Sequence, residues 1–518
     1  MKMNNSLFGR IDKSIFGFSA IIAIVFVLWG ALIPEQAGKT FSAAMAFFTD
    51  NFGWSYMFFV TLFLVFCVVV AWSKYGNIKL GKDDDVPEYS TWSWFAMLFS
   101  AGMGIGLVFW SVAEPMYHYG SPPFGEGSTL DAAGVAMRYV FLHWGLHPWA
   151  IYGVVGLALA YFQFRKRLPA LVSSTLHPLL GDEGIKGPVG KAVDILAVFA
   201  TLFGVATSLG LGAMQINSGL NYVYNIVEST SATIVIILVM TLLFITSAVT
   251  GISKGIKFLS NINMYLAGLI MIFVLLLGPT RSVLNIFTDT MGTYLQNIVQ
   301  MSFWTDPFGT NPGWVGGWTI FYWAWWIAWG PFVGAFIARI SKGRTVREFI
   351  LGVLFAPTLL SFIWLSIMGG TSLSLEVAGT AEIAKAVSEN MATALFALLH
   401  NLPLAGLIST IAMVLIATFF ITSADSATFV MGMLTSGGDL EPKAGLKIFW
   451  GVTEGAVAAV LLAAGGLGAL QTASIVSAFP FMIIMILMCF SLVKAFNSEQ
   501  IVPVREKTTK TQSSSISM

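Results

Sequence analysis

Ser100-Ala101-Gly102-Met103-Gly104-Ile105-Gly106-Leu107-Val108-Phe109-Trp110 lies inside an apolar run long enough to cross a bilayer, and its three alternating glycines set the reading of the chain. A helix built only to span would be rich in leucine. Each interior glycine costs about 1 kcal/mol relative to alanine. Close helix packing is one use for glycines in a membrane. The other is an unwound segment at mid-membrane, where bare amides hold an anionic group and carbonyls ligate a cation.

The surrounding composition demands lipid. Hydrophobic residues make up 56% of 518 positions and charged residues 10%, against about 25% charged in soluble domains. A net charge of +1 excludes a globally basic nucleic-acid binder. Cys67 and Cys489 both sit in apolar runs, which argues against a disulfide framework or thiolate metal site. The first apolar run, from about Phe16 to Leu32, lacks a small-residue cleavage motif and reads as a retained span.

Each crossing needs about 20 mostly apolar residues. Twelve stretches qualify, at roughly 14–33, 53–75, 92–118, 139–165, 191–222, 231–250, 256–278, 314–340, 346–372, 404–434, 447–467 and 472–495. The segment 281–303 is amphipathic and carries Asp289, Asn297 and Gln296, so an interfacial helix is expected there. A second non-spanning helix is expected near Ala381 to His400. With twelve spans and both termini cytoplasmic, only Lys39, Arg138, Arg281 and Lys385 of the 27 basic residues face outward. That asymmetry follows the positive-inside rule. The expectation is an all-α integral membrane protein of the cell inner membrane, with one membrane domain over 14–498 between short polar tails, 1–13 and 499–518.

Aromatic residues mark a second feature. Trp323, Trp325, Trp326 and Trp329 crowd the eighth stretch, and Trp325, Trp326 and Trp329 share an arc of about 100° on a helix. Interfacial tryptophan belts explain Trp314 and Trp318 but not Trp329, more than two turns deeper. The fourth stretch adds Trp144, Trp149 and Tyr152, with Pro148 expected to bend it. Converging aromatic faces form a cage for a cation that cannot donate hydrogen bonds, and quaternary ammonium is its natural guest. In the tenth stretch Phe419, Thr422 and Ser423 share a face, and two hydroxyls there suit either sodium or simple back-bonding to the helix.

Together these residues resemble the betaine/choline/carnitine transporter family. The likeness rests on Gly102-Met103-Gly104-Ile105-Gly106 with Glu114-Pro115, on His143-Trp144-Gly145-Leu146-His147-Pro148-Trp149 with Tyr152, on Trp323 through Phe332 continuing to Phe336 and Arg339, and on Thr422-Ser423-Ala424-Asp425-Ser426. It implies a LeuT-like core of two inverted five-helix repeats, about 92–278 and 314–495, and a homotrimer contacting partly through the 281–303 helix. It implies that Trp144, Trp149, Tyr152 and Trp326 box the ammonium and that Gly102, Gly104, Ile105 and Gly106 receive a carboxylate. Trp325, Trp329 and Phe336 would line the cytoplasmic path. One sodium would sit among Ser100, Met103, Phe419, Thr422 and Ser423. A second sodium near Thr201 and Phe332 would lack a hydroxyl, because Val205 stands where the family's second threonine belongs, although Ser208 offers a substitute. No other cofactor is implied.

Substrate choice has one physical handle. Choline is a net cation and gains from a nearby carboxylate, whereas betaine is a zwitterion. No acid occurs between Gly102 and Gly106, and Glu114 lies two turns on, which favours betaine. Choline, carnitine, ectoine, proline and dimethylsulfoniopropionate remain alternative substrates, and exchange or proton coupling through Glu114 or Asp425 the alternative modes. Asp425 is also a candidate partner for Arg339. A membrane enzyme would need His143 and His147, four apart, to grip a metal, but no third ligand follows at metal-site spacing. The tail after Lys494 holds only Arg505, Lys507 and Lys510 as basic residues, so weak or absent osmotic sensing through it is expected.

Overall fold

The computed structural model describes residues 8–102, 104–250 and 253–499. In chain order the helices are α1 (Lys13–Leu32), α2 (Pro34–Trp72), α3 (Thr91–Gly102), α4 (Ile105–Gly120), α5 (Leu130–Trp144), α6 (Leu146–Ala160), α7 (His177–Lys186), α8 (Pro188–Tyr224) and α9 (Thr230–Thr250). They continue as α10 (Ser253–Leu277), α11 (Thr280–Phe303), α12 (Phe321–Ile340), α13 (Val346–Val377), α14 (Ile383–Glu389), α15 (Ala394–His400), α16 (Ala405–Thr435) and α17 (Ala444–Asn497). Among the described residues there is no strand, only an isolated bridge between Lys79 and Thr345. An all-helical backbone is what a bilayer permits, because each N–H and C=O is satisfied within its own segment.

Local chemistry sets many helix ends. Asp12 caps α1 by accepting from the amides of Ser14 and Ile15. Pro34 opens α2, where a missing N–H costs nothing. Thr345 and Glu348 form a reciprocal capping box on α13.

Ten helical segments among the described residues are long and apolar enough to cross a membrane. Two breaks explain why that number differs from the twelve expected. The third stretch is cut between α3 and α4. At 1.5 Å per residue these pieces of 12 and 16 residues each fall short of a ~30 Å core. At the other end α17 runs for 54 residues, about 80 Å if straight. It leaves helical geometry at Gly465 and Gly466, and Gly466 takes φ +57°, which favours glycine. The loop expected between the last two stretches is therefore a two-residue glycine break. α2 begins at Pro34 rather than near 53. The residues preceding its apolar run include Ala37, Ala43, Ala44 and Ala46, strong helix formers that a count of apolar residues overlooks.

Burial separates centre from periphery. The segments Leu130–Arg165 and Gly316–Ile340 are 94% and 89% buried across their most apolar windows, whereas Lys13–Leu32 and Leu259–Leu277 are only 28% and 22% buried. On α1 the side chains of Phe18, Ile21, Val25 and Leu28 are exposed, as a lipid-facing surface requires. α12 packs against α6, α8 and α17 at the centre, and α16 packs against α8. The amphipathic helix appears as α11, lying on α5 and α13 with Val283, Tyr294 and Met301 inward and Leu284, Leu295 and Val299 outward. The expected short helix near 381–400 is two, α14 and α15.

Candidate substrate-binding site

The site begins at the helix break. α3 stops at Gly102 and α4 starts at Ile105, with Gly104 non-helical and no side chain capping the new N-terminus. The first amides of a helix have no partner within it, and the helix dipole makes that end attractive to an anion. The glycines are fixed by what touches them. A Cβ on Gly102 would fall 2.4 Å from the edge of Trp149, and one on Gly106 would fall 2.1 Å from Trp325. Ile105 turns its side chain toward Gly212 of α8.

A second break sets the aromatic wall. α5 ends at Trp144 and α6 starts at Leu146, so the chain parts at Gly145 rather than at Pro148. Pro148 falls in the first turn of α6, where no intrahelical N–H is needed. A Cβ on Gly145 would meet the Phe141 carbonyl oxygen at 2.5 Å. Trp144 thus hangs from the end of one helix while Trp149 and Tyr152 project from the next.

The rings form a chain of edge-to-face contacts. Trp144 and Trp326 lie 5.1 Å apart at 87°, Tyr152 and Trp326 5.5 Å apart at 75°, and Trp149 and Tyr152 5.5 Å apart at 77°. Gly102, Gly104, Gly106, Leu107, Trp144, Tyr152, Trp325, Trp326 and Trp329 enclose a cavity of about 20 Å³. That is room for about one water, so any larger guest would require the rings to part. Trp149 closes the end of the chain against Gly102, and its indole N–H is buried without a partner, as is the Tyr152 hydroxyl. Leu107 is a lining residue that the sequence reading did not include.

Hydrogen bonds hold Trp326, Trp329, Trp144 and Tyr322, whereas Trp325 Nε1 is buried without a partner. Trp326 Nε1 donates to the carbonyl of His143, and Trp329 Nε1 donates to the carbonyl of Gly204 on α8. Trp144 Nε1 and the Tyr322 hydroxyl both donate to Glu114 Oε2, at 2.8 and 2.5 Å. The other carboxylate oxygen of Glu114 lies 2.6 Å from His143 Nδ1. Glu114 therefore stands behind Trp144, fully buried, and does not line the cavity. Tyr322 and the bracing part of Glu114 escaped the sequence reading; a lone acid in an apolar helix was their one signal. His143 and His147 do not act together. His147 Nε2 bonds Ser302 Oγ on α11, and its ring stacks on Trp323.

The tenth stretch, α16, meets the helix break through two residues. A Cβ on Gly104 would lie 3.4 Å from Ser423 Oγ and 3.9 Å from the Phe419 ring. Thr422 donates back to the carbonyls of Thr418 and Phe419 and accepts from Asn263 of α10. Ser100 falls in the last turn of α3, and Met103 lies outside the described residues. Thr201 is fully buried and donates to the Ala197 carbonyl, and Ser208 donates likewise to Gly204.

A larger cavity of about 560 Å³ opens beyond the cage. Phe332, Phe336, Arg339, Lys342, Asp425 and Lys447 are among its walls. Trp329 of the small cavity and Phe332 of the large one touch at 5.4 Å, so this ring pair stands between the two spaces. Asp425 accepts from Ser247 of α9, and among the described residues no ion pair joins it to Arg339.

Comparison with known proteins decides what kind of machine this is. The family of betaine/carnitine/choline transporters matches residues 14–501. The chain belongs to that family. It is a multi-pass membrane transporter and not an enzyme. A probable glycine betaine transporter of Desulfitobacterium hafniense is 51% identical over 94% of this chain and 98% of the relative. A glycine betaine transporter of Bacillus subtilis is 53% identical over 94% and 95%. An ectoine/hydroxyectoine transporter of Virgibacillus pantothenticus is 44% identical over 95% and 97%. Membership and these relatives make the chain an osmolyte transporter.

Proposed function

We propose that this transporter imports glycine betaine, or a zwitterionic quaternary-ammonium osmolyte of similar size, together with sodium by alternating access. The observation that carries the reading is the small cavity between the α3–α4 break and the rings of Trp144, Tyr152, Trp325 and Trp326. Aromatic faces suit an alkylated ammonium, each worth about 0.5–2 kcal/mol when desolvated. The uncapped start of α4 suits the carboxylate. No acid lines the cavity, because both oxygens of Glu114 are engaged behind Trp144, and a net cation such as choline would go uncompensated. The Desulfitobacterium and Bacillus relatives are named as glycine betaine transporters, which agrees with betaine.

Sodium belongs, in this reading, where Ser423 and Phe419 approach Gly104. Hydroxyl and carbonyl oxygens there would steady the break and keep the α4 amides turned to the substrate. The weaker second site at Thr201 and Phe332 would add little. The topology we favour has twelve crossings, counting α3 with α4 as one broken span and α17 as two, with both termini cytoplasmic. Two inverted repeats of the LeuT type and a trimer joined partly through α11 complete the proposal. The exposed Leu284, Leu295 and Val299 of α11 are available for that contact. The large cavity, walled by Arg339, Lys342 and Lys447, then faces the cytoplasm, and the collapsed cage above it corresponds to a state after release.

Linkage supplies the test. If sodium steadies the substrate site, sodium and betaine raise each other's affinity by the same factor. Betaine titrated into the purified protein should bind at least tenfold more tightly in sodium chloride than in potassium chloride of equal ionic strength. Equal affinities would refute the coupling.

A further inference from the structure

Behind the cage lies a donor set that transport of an osmolyte does not require. Glu114 and His118 occupy one face of α4, four residues apart, and His143 reaches them from α5. One ligand atom from each residue lies within 4.8 Å of the others. All three side chains are fully buried. The closest approaches are 2.6 Å between Glu114 Oε1 and His143 Nδ1 and 3.4 Å between Glu114 Oε1 and His118 Nε2.

We propose that Glu114, His118 and His143 form a binding site for a divalent transition-metal ion of the zinc class. Two imidazoles and a carboxylate suit such an ion and leave a fourth position for water. His118 is the observation that points beyond packing. Its ring is enclosed by Trp314 and Trp318 at 4.8 and 4.5 Å, and its Nδ1 makes no hydrogen bond. Its Nε2 faces Glu114 at a distance too long for a good hydrogen bond, a gap that a metal bridging the two would fill.

The surrounding groups are already arranged as a supporting shell. Trp144 and Tyr322 hold the second oxygen of Glu114, and Thr319 Oγ1 lies 2.9 Å from His143 Nε2. On binding, the ion takes the place of the proton between Glu114 Oε1 and His143 Nδ1. That proton is relocated to His143 Nε2, so the imidazole stays neutral and no net proton is released, and the Thr319 hydroxyl, able to donate or accept, turns to accept it. Because the same carboxylate braces Trp144, occupancy stiffens the cage wall and slows transport.

Cobalt(II) is the probe, read by visible absorption of the purified full-length protein. A tetrahedral spectrum saturating near one ion per chain is expected. It should be lost in His118→Gln and kept in His177→Gln, whose histidine is a control outside the cluster. Zinc chloride should slow betaine uptake at least fivefold in the parent and leave His118→Gln unaffected. Should His118→Gln fail to fold, zinc K-edge absorption of the loaded parent decides the matter. A shell of two imidazoles with oxygen supports the site, and a shell without paired imidazoles overturns it. Absence of the cobalt spectrum in the parent, or its persistence in folded His118→Gln, also overturns it.

Discussion

At the scale of the residue, the cage depends on where each ring is held and on what is omitted beneath it. Trp326 is anchored to the His143 carbonyl and meets both Trp144 and Tyr152. Removing its face in Trp326→Ala should cost about 0.5–2 kcal/mol of betaine binding, a fall of about twofold to thirtyfold in affinity. Calorimetric titration reads this directly, and parental affinity would remove Trp326 from the site. Gly106 has the opposite importance, since an added methyl would press on Trp325. Gly106→Ala should destabilise the protein by about 1–3 kcal/mol through overpacking and weaken binding. An unchanged melting temperature with parental affinity would show that Trp325 can yield. That Trp144, Tyr152, Trp325, Trp326 and Trp329 would gather beside the glycines was legible, because a ring-lined space restricts residue type. Glu114 as the brace of Trp144 was not, since pairing between α4 and α5 depends on packing rather than spacing.

At the scale of the element, the breaks matter more than the helices. Apolar length and charge bias located most spans, with α8, α13 and α16 beginning within about three residues of expectation. They misplaced interruptions. Proline drew the expected bend to 148, yet the break falls at Gly145, where close approach of the Phe141 carbonyl leaves no space for a side chain. Hydropathy ended the last stretch within about two residues of Asn497 but gave no sign of what fastens the chain after it. Glu499, expected to start a free tail, accepts from Tyr161 and Arg165 and pairs with Lys166. Burial alone would raise its pKa, but the hydrogen bonds from Arg165, Lys166 and Tyr161 carry it down to about 2. A depressed carboxyl contributes stability that is present above its unfolded pKa and lost as pH falls toward the folded value. The attachment should therefore be constant between pH 5.5 and 8. Limited proteolysis after α17 should show one rate across that range and a faster one in Glu499→Gln. A rate that climbs by pH 5.5 in the parent would contradict this.

At the scale of the whole molecule, α6, α8 and α12 pack at the centre and carry a small ring-lined space and a cavity of about 560 Å³, with Trp329 and Phe332 between them. The proposed alternating-access cycle requires two such unequal spaces, since a site open to both sides would leak the gradient it is proposed to use. Membrane embedding and helical class were readable from composition alone. The state of the cage was not, because populations of conformations depend on ligand and ion rather than on local propensity. The most direct measurement is uptake of radiolabelled betaine into proteoliposomes under an imposed sodium gradient, with a proton gradient as the contrasting drive and choline and ectoine as competitors. Accumulation driven by sodium and little affected by choline is the predicted result. Accumulation driven by protons alone would contradict the account and shift coupling from Ser423 and Thr422 to an acid such as Asp425.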